Sequence, residues 1–285
     1  MLCGLWAVGV TSFTVFIMKH ILTFSDAKFF PIVRRFAYHA NRFLGYTVSV
    51  YDLGLDDRQK KILTDSGVNV LWTEFPEDAL GANDRGQIRT SHKMYCIEHF
   101  IRANNTSILI LDADTLIIEN IDELWPKESD GIVVTARCPR EHAPHLLING
   151  MINAGVMAFG ADTPSEFFAY WKERCLRDAN ATDQSALSDM LAAENVDFRT
   201  FDVNQSCRWG SVIVRDGETY NDVTCRTGKI FHFKSIARRG KKLLTYKLFS
   251  LLYAVVPCVV EGLVRYNRKH RIVVWKKKEC PRGIL

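Results

Sequence analysis

The sequence predicts an α/β protein with a mostly parallel, Rossmann-like sheet and helices on its faces. Strand-like and helix-like runs alternate through the first two-thirds of the 285 residues, as expected for βαβ units. One run, residues 107–111, is mostly apolar and β-prone, which is typical of a strand covered on both faces in a parallel sheet. A hydrophobic content of 47% is sufficient for a full core, so the chain is neither disordered nor fibrous.

The individual elements follow from the spacing of apolar residues and from the turn residues between them. The predicted strands are residues 21–24, 47–51, 69–72, 107–111, 132–135 and 156–159, with a further short strand before His232. The predicted helices are residues 29–43, 57–64, 90–103, 164–177 and 184–193. Residues 76–87 are predicted to be a loop because they are polar and contain glycine. The segment between the predicted strands 132–135 and 156–159 is predicted to be a long loop because it is rich in proline and histidine.

We expect three parts along the chain. Residues 1–18 are a nearly uncharged apolar run that is slightly too short to span a bilayer, and they are either a weak anchor or lie upstream of the true start at Met18. Residues 19–236 form the α/β domain, and residues 237–285 form a basic, amphipathic tail. The tail is either an interfacial helix pair or a terminal helix packed on the domain with a solvated basic face, and the sequence leaves both open.

Charge is unevenly distributed along the sequence. From Lys234 onward there are 14 Lys and Arg against two acids, a net charge of +12, so the preceding 233 residues carry −7 of the total of +5. An acidic body with a basic tail indicates attachment to an anionic membrane surface, and no nucleic-acid motif accompanies the tail. We therefore expect a cytoplasmic, peripherally membrane-bound protein. Eight scattered cysteines without a C-x-x-C pair indicate reduced thiols.

Two carboxylates, Asp112 and Asp114, follow the buried strand at residues 107–111 directly. Ligands of open α/β sheets bind beyond such strand ends, and paired hard oxygen donors suit Mg²⁺ or Mn²⁺. A solvated turn or a helix cap is the simpler explanation of an Asp-x-Asp pattern. An EF-hand loop is excluded, because Leu116 and Ile117 replace its oxygen donor and its turn glycine. The apolar flanks on both sides favour the metal site.

Further candidate residues lie in the segments around this motif. Arg89 and Lys93 are one helical turn apart, so both can face a diphosphate, although a solvated helix face explains them equally well. Residues 153–155 are predicted to form a tight turn that lets backbone approach a ligand. Asp183, after Thr182, is either a helix cap or points into the cleft. An imidazole such as that of His232 can complete a two-carboxylate Mn²⁺ site.

Together these residues resemble family 8 of the glycosyltransferases, the family of glycogenin and of bacterial lipooligosaccharide galactosyltransferases. The resemblance is specific in Lys93-Met-Tyr and residues 108–125, and it continues through Asn153-Ala-Gly, Asp183-Gln and His232-Phe-Lys in the same order. It spans about residues 21–235 and is weak at both ends. The familiar His-Phe-x-Gly-x-x-Lys-Pro-Trp ending is replaced here by His232-Phe-Lys-Ser, which leaves Lys234 as the nearest candidate for the phosphate-binding lysine.

The resemblance implies a GT-A catalytic domain, Mn²⁺ or Mg²⁺, and transfer of a sugar from a nucleotide-diphosphate-sugar to a glycan, lipid or protein acceptor with retention of configuration. The implied metal ligands are Asp112, Asp114 and His232, and the implied catalytic residues are Asp183, Gln184 and Asn153. The implied donor-binding residues are Thr23, Ser25, Arg89, Lys93, Asp112, Ala113, Gly155 and Lys234. Two alternatives stay open: a sugar nucleotidyltransferase, and a non-catalytic GT-A-fold binding protein at a membrane. The absence of a glycine-rich, basic loop after Phe24 counts against the first.

Overall fold

The computed structural model describes residues 19–80, 91–117, 120–126, 131–136, 150–178, 180–193, 196–201, 214–216, 230–233 and 240–255. Its strands are β1 (His20–Ser25), β2 (Thr47–Asp52), β3 (Asn69–Leu71), β4 (Ile108–Leu111), β5 (Thr115–Ile117), β6 (Ile132–Ala136), β7 (Ile152–Phe159), β8 (Arg199–Thr200), β9 (Val214–Asp216) and β10 (Ile230–His232). Its α-helices are α1 (Phe30–Leu44), α2 (Asp57–Asp65), α3 (His92–Asn104), α4 (Ser165–Arg177), α5 (Asp183–Ala193) and α6 (Gly240–Val255), and short 3-10 helices occupy Glu77–Leu80 and Asp122–Leu124. The predictions for residues 1–18, Arg89, Lys234 and the tail beyond residue 255 lie outside the described residues.

The central sheet has seven strands in the order β3-β2-β1-β4-β7-β6-β8. Strands β3, β2, β1 and β4 are parallel neighbours, and β6 and β8 are also parallel to each other. β7 is antiparallel to both β4 and β6, so it is the one strand of this sheet that runs in reverse. The predicted mixed α/β architecture with a mostly parallel sheet is confirmed. The carboxyl ends of β1, β2 and β4 therefore meet at one edge.

The sheet is covered on both faces, because its strands alternate between two hydrophobic clusters. In β4, Leu109 and Leu111 pack with α1 and α2, whereas Ile108 and Ile110 pack with α3, α4 and α5. Every residue of β4 is fully buried. This explains why the predicted strand at residues 107–111 has no polar face.

Helix ends are marked by local sequence signals. The α1 helix carries Pro31 in its first turn and ends at Gly45, whose φ of 70° is left-handed and favours glycine. The α2 helix begins with a capping box, in which Asp56 and Gln59 each bond the backbone N–H of the other. The predicted bounds of both helices agree with the structure within one residue.

A second, smaller sheet has the order β5-β10-β9 and lies beyond the carboxyl end of β4. β5 begins one residue after Asp114, and β10 pairs with it antiparallel. β10 also pairs with β9 in parallel. This sheet brings a distant part of the chain next to the Asp-x-Asp motif.

Candidate metal centre

The Asp112–Thr115 turn is held by three backbone bonds and one side-chain bond. The Asp112 carbonyl accepts hydrogen bonds from the Thr115 N–H at 3.0 Å and from the Thr115 hydroxyl at 2.8 Å. The Asp112 N–H donates to the Gly155 carbonyl at 2.9 Å, and the Phe233 N–H donates to the Asp114 carbonyl at 2.8 Å. The motif is thus tied to β7 and to the end of β10, which fixes where its two carboxylates point.

The pairing of β5 with β10 places His232 opposite Thr115. The His232 Nε2 atom lies 3.1 Å from Asp114 Oδ1 and 3.8 Å from Asp112 Oδ2. One ligand atom from each of the three residues lies within 4.8 Å of the others, which is a separation that a single metal ion can bridge. The predicted metal ligands are therefore brought together.

The three side chains of this group differ in their exposure to solvent. The His232 side chain is 4% exposed and that of Asp114 is 13% exposed, whereas Asp112 is 27% exposed. A ligand that approaches from solvent would meet Asp112 first. Among the described residues, the buried Nδ1 atom of His232 has no hydrogen-bond partner, so the imidazole is held by packing and by its Nε2 contacts.

Gly155 makes room for the His232 imidazole. A Cβ atom on residue 155 would lie 2.3 Å from His232 Cε1 and 2.8 Å from His232 Nδ1, distances that real contacts do not reach. The Gly155 N–H donates to Asn153 Oδ1 at 2.9 Å, and the Gly155 carbonyl accepts a hydrogen bond from the Asp112 N–H. Glycine at this position therefore allows β7, the histidine and the Asp-x-Asp turn to approach one another closely.

A buried lysine links the metal group to α5. Lys93 lies in the first turn of α3 with a side chain only 6% exposed, and its ammonium contacts Asp112 Oδ1 at 2.7 Å and Asp183 Oδ2 at 3.2 Å. It also donates to the Ala154 carbonyl at 3.2 Å. Burial lowers the pKa of the Lys93 ammonium, but Asp112 and Asp183 outweigh burial, so the pKa is raised above its ordinary value.

The acids outnumber the cations in this cluster. Burial favours the neutral form of Asp114, but the neighbouring His232 and Lys93 favour the charged form, and the pKa of this carboxyl is lowered below its ordinary value. The carboxylates of Asp112, Asp114 and Asp183 and the ammonium of Lys93 carry formal charges that sum to −2. One divalent cation would balance this charge.

Thr182, and not Asp183, caps α5. The Thr182 hydroxyl accepts from the Ser185 N–H at 3.2 Å, and the Ser185 hydroxyl accepts from the Thr182 N–H at 2.9 Å. Asp183 is the first helical residue, and its backbone carbonyl accepts from the Trp171 indole at 3.0 Å. Of the two alternatives for Asp183, a helix cap or a carboxylate in the cleft, the capping role is filled by Thr182, and the Asp183 carboxylate pairs with Lys93.

The tight turn predicted at residues 153–155 is not observed. These residues lie inside β7, which begins at Ile152, and the turn is earlier, where Gly150 has a φ of 73°. The register between β6 and β7 jumps from Val134↔Met157 to Thr135↔Asn153, so β7 bulges between them. The bulge gives these small residues a close approach to the site without a turn.

Asn153 and Gln184 hold the bulge of β7. Asn153 Oδ1 accepts from the Gly155 N–H, and Gln184 Oε1 accepts from the Ala154 N–H at 3.3 Å. Asn153 is 3% exposed. Each predicted catalytic amide thus has its carbonyl oxygen bound to the backbone of β7, and Asn153 binds Gly155, the residue that packs against His232.

The remaining predicted donor-binding residues lie near the same edge but are buried. Thr23 and Ser25 lie in the last half of β1, and neither is more than 1% exposed. The Ser25 hydroxyl donates to the Asp26 carbonyl, whereas the Thr23 hydroxyl has no hydrogen-bond partner among the described residues. Ala113 is 7% exposed between the two acids.

Three residues that matter to this geometry were not assigned these roles from the sequence. Thr115 closes the Asp-x-Asp turn, Gly155 accommodates His232, and Thr182 begins α5. A threonine directly after the motif and the spacing of Thr182 and Ser185 were available signals. Nothing in the sequence alone indicates that Gly155 contacts a residue of β10.

A family model described as nucleotide-diphospho-sugar transferase matches residues 55–236, which include α3, the Asp-x-Asp turn, β7, α5 and β10. The chain belongs to this family. It is an enzyme of the glycosyltransferase class. A comparison with curated proteins found no match.

Two solved structures show the same fold as this transferase. One is the galactosyltransferase LgtC in complex with donor and acceptor sugar analogs, with a TM-score of 0.52, 16% identity and coverage of 67% of this chain and 74% of that chain. The other is an active-site mutant of LgtC in which glutamate replaces glutamine, with a TM-score of 0.55, 14% identity and coverage of 80% and 94%. At these identities the likeness concerns the fold.

Proposed function

We propose that this transferase is a metal-dependent glycosyltransferase of family 8, which moves a sugar from a UDP-sugar to a glycan, lipid-linked or protein acceptor. The observation that carries the proposal is the convergence of Asp112, Asp114 and His232 at the carboxyl edge of the sheet. Their place in a nucleotide-diphospho-sugar transferase supports a diphosphate as the group that the metal meets.

The residues present fit Mn²⁺ or Mg²⁺. Two carboxylates and one imidazole form a hard to borderline donor set, and the absence of a thiolate from it disfavours a structural zinc or iron–sulfur centre. The formal charge of −2 on Asp112, Asp114, Asp183 and Lys93 together is matched by a divalent cation. A divalent cation at this position would offset the negative charge that grows on the diphosphate as its bond to the sugar breaks.

Lys93 lies between two acids of the site, Asp112 and Asp183. Its ammonium neutralises one negative charge shared between Asp112 and Asp183, and its burial keeps both carboxylates in fixed positions. We also propose that Lys93, Arg89 and Lys234 contact the phosphate or the sugar of the donor, as the resemblance implies. These cations would stabilise the departing diphosphate.

The proposed reaction is a group transfer with retention. The bond between sugar C1 and the diphosphate oxygen breaks, a bond between C1 and an acceptor hydroxyl oxygen forms on the same face, and the hydroxyl proton passes to the released diphosphate. Asp183 contributes negative charge near the sugar ring as positive charge grows there. The amides of Asn153 and Gln184 would orient the sugar hydroxyls.

The direct test measures release of nucleoside diphosphate from a panel of UDP- and GDP-sugars with Mn²⁺, with and without EDTA. We expect release from at least one UDP-sugar, loss of release with EDTA, and loss in the variant Asp112→Asn with Asp114→Asn. If folded protein releases no nucleoside diphosphate from any donor, the proposal is wrong. Release of pyrophosphate from a sugar 1-phosphate and a nucleoside triphosphate would instead indicate a nucleotidyltransferase.

A further inference from the structure

The α6 helix packs on the domain along one face. Tyr246 and Ser250, one helical turn apart on this face, are buried, and the Ser250 hydroxyl accepts a hydrogen bond from Arg35 of α1 at 3.3 Å. The opposite face is exposed and apolar, with Leu244, Leu248, Leu251, Leu252 and Val255. Among the described residues, no helix is both long enough and apolar enough to cross a membrane, and α6 has 16 residues.

Tyr246 of α6 contacts the residue that follows His232. The Tyr246 ring is fully buried and meets the ring of Phe233 edge to face, with centroids 5.2 Å apart and ring planes at 80° to each other. Phe233 is itself only 2% exposed. Contacts between buried aromatic rings are directional and stabilise beyond the area that they bury, so Tyr246 restricts where Phe233 can lie.

Phe233 in turn is bonded to the Asp-x-Asp turn. Its N–H donates to the Asp114 carbonyl at 2.8 Å, while the Nε2 atom of His232 lies 3.1 Å from Asp114 Oδ1. A shift of Phe233 would move His232 with it, because one planar peptide of fixed length joins the two residues. The position of Phe233 therefore sets the separation between two of the metal ligands.

The charge of Asp114 acts on Tyr246. Burial raises the pKa of the Tyr246 phenol and Asp114 raises it further, whereas Arg35 lowers it. The phenol is therefore neutral at neutral pH, and α6 comes within electrostatic reach of the metal group. Tyr246 can affect the site by packing and not by a charge of its own.

The α1 helix is a common support for α6 and for the second sheet. The Tyr246 hydroxyl lies 3.5 Å from the Ile32 carbonyl of α1, and His39 of the same helix lies with its Nε2 atom 2.6 Å from the Ile117 carbonyl of β5. Both the strand that follows the Asp-x-Asp turn and the ring that packs on Phe233 are thus held against one helix. Tyr246 cannot move away from Phe233 unless α6 also leaves α1.

We propose that Tyr246 is a positioning residue of the metal centre, which holds Asp114 and His232 at ligand distance through Phe233. This role rests on the proposed metal-dependent function and adds to the site a residue from outside residues 55–236, which match the family model. The simpler explanation of Tyr246 is a core residue that contributes stability alone. The two explanations predict different Mn²⁺ affinities for the same loss of stability.

The test compares two matched tyrosine variants of the full chain. Tyr246→Leu removes the ring that packs on Phe233. Tyr46→Leu removes a ring that is 4% exposed and lies 5.2 Å from the Trp125 ring, just before the amino end of β2 and so at the edge of the sheet opposite the site. Both variants should have a lower thermal midpoint than the unmodified chain.

Titration calorimetry with Mn²⁺ separates the two variants. We expect Tyr246→Leu to lower Mn²⁺ affinity at least about tenfold, as the loss of support for a metal ligand does, and Tyr46→Leu to leave it unchanged. Tyr246→Phe keeps the ring and should bind Mn²⁺ like the unmodified chain, because a hydroxyl contact of 3.5 Å is too long for a strong hydrogen bond.

Amide hydrogen exchange at Phe233 tests the same link in the metal-free chain. This amide is protected by its bond to the Asp114 carbonyl, so it should exchange faster in Tyr246→Leu than in Tyr46→Leu. In a chain that already carries Phe233→Leu, addition of Tyr246→Leu should lower Mn²⁺ affinity little further, because the tyrosine acts through the phenylalanine.

Three results bear against these expectations. Equal Mn²⁺ affinity in the two tyrosine variants, or equal exchange at Phe233, would show that Tyr246 contributes stability alone. Additive losses of affinity from Tyr246→Leu and Phe233→Leu would contradict a path through Phe233. If the unmodified chain binds no Mn²⁺, the proposed metal-dependent function fails, and exchange at Phe233 still decides whether Tyr246 holds the Asp-x-Asp turn.

Discussion

The His232 imidazole packs against the Cα of Gly155, so closely that a Cβ on residue 155 would lie 2.3 Å from the ring. We predict that Gly155→Ala displaces the imidazole from Asp112 and Asp114 and lowers Mn²⁺ affinity by about 10- to 100-fold, the usual cost of misorienting a metal ligand. Titration calorimetry measures this affinity. The circular dichroism spectrum should stay native.

The matched control is Gly45→Ala. Gly45 has a φ of 70° and open space around its Cα, so alanine there strains the end of α1 and lowers stability without touching the site. Its Mn²⁺ affinity should be unchanged. Equal loss of affinity in both variants would mean that Gly155 acts through general stability and not through His232.

Replacement of Lys93 tests the buried charge cluster. We predict that Lys93→Met lowers the free energy of unfolding by about 3–5 kcal/mol, because Asp112 and Asp183 lose their shared cation. Lys172→Met, which removes a partly exposed pair with Glu98, should cost about 1 kcal/mol or less. Urea unfolding measures both.

A second substitution separates charge from packing at Lys93. In the double variant Lys93→Met with Asp183→Asn, one uncompensated carboxylate is removed, so part of the lost stability should return. If the losses of unfolding free energy from the two substitutions simply add, Lys93 and Asp183 are not coupled energetically, and packing alone holds the cluster.

The cap of α5 is predicted to affect the rate of sugar transfer. Thr182→Ala removes the hydroxyl that accepts from Ser185 and should cost about 1 kcal/mol of stability. Because Asp183 is the next residue, displacement of the helix end should also lower the transfer rate at least about tenfold. Asp56→Ala removes the equivalent cap of α2 and should lower stability by a similar amount, with an unchanged rate. Equal rates in the two variants would contradict a positioning role for Thr182.

Stability is predicted to fall in mild acid because of buried histidines. His39 lies 2.6 Å from the Ile117 carbonyl, and burial lowers its pKa to about 4 even though that hydrogen bond raises it. Between this value and an unfolded pKa of about 6.5, the unfolded chain binds more protons, so the free energy of unfolding rises with pH across this window. The contribution of His39 to stability is fully present above about pH 6.5 and is lost as the pH falls towards about 4.

His39→Gln provides the comparison, because an amide nitrogen can donate to Ile117 and does not titrate. Near pH 5 the variant should take up about one proton fewer on unfolding, which appears as a shallower slope of unfolding free energy against pH. His92 is also buried, with a pKa lowered to about 3, so part of the slope should persist. An unchanged slope in His39→Gln would show that His39 does not contribute.

Most of the fold could be predicted from local patterns. The β4 strand is apolar throughout because it is covered on both faces. The glycine that ends α1 and the capping box that begins α2 are both visible in the sequence. The start of β7 was missed, because a bulge places Asn153, Ala154 and Gly155 in a strand although their composition is typical of a turn.

The site was predictable only in part. Asp112 and Asp114 stand out because they follow a buried strand directly, but His232 reaches them through the pairing of β5 with β10, which no local pattern specifies. The burial of Lys93 depends on two acids from different elements and therefore on tertiary structure. The leucines on the outer face of α6 are exposed although leucine is typical of a core, because the composition of an apolar helix face does not show whether protein covers it.

The most direct test of the metal centre is Mn²⁺ binding followed by electron paramagnetic resonance, with and without UDP. We predict that UDP raises Mn²⁺ affinity at least about tenfold because the diphosphate completes the coordination of the ion, whereas UMP does not. In the variant Asp112→Asn with Asp114→Asn, both the binding and the effect of UDP should be lost. Unchanged Mn²⁺ affinity in this variant, or an equal effect of UMP and UDP, would contradict a metal centre that binds the donor diphosphate.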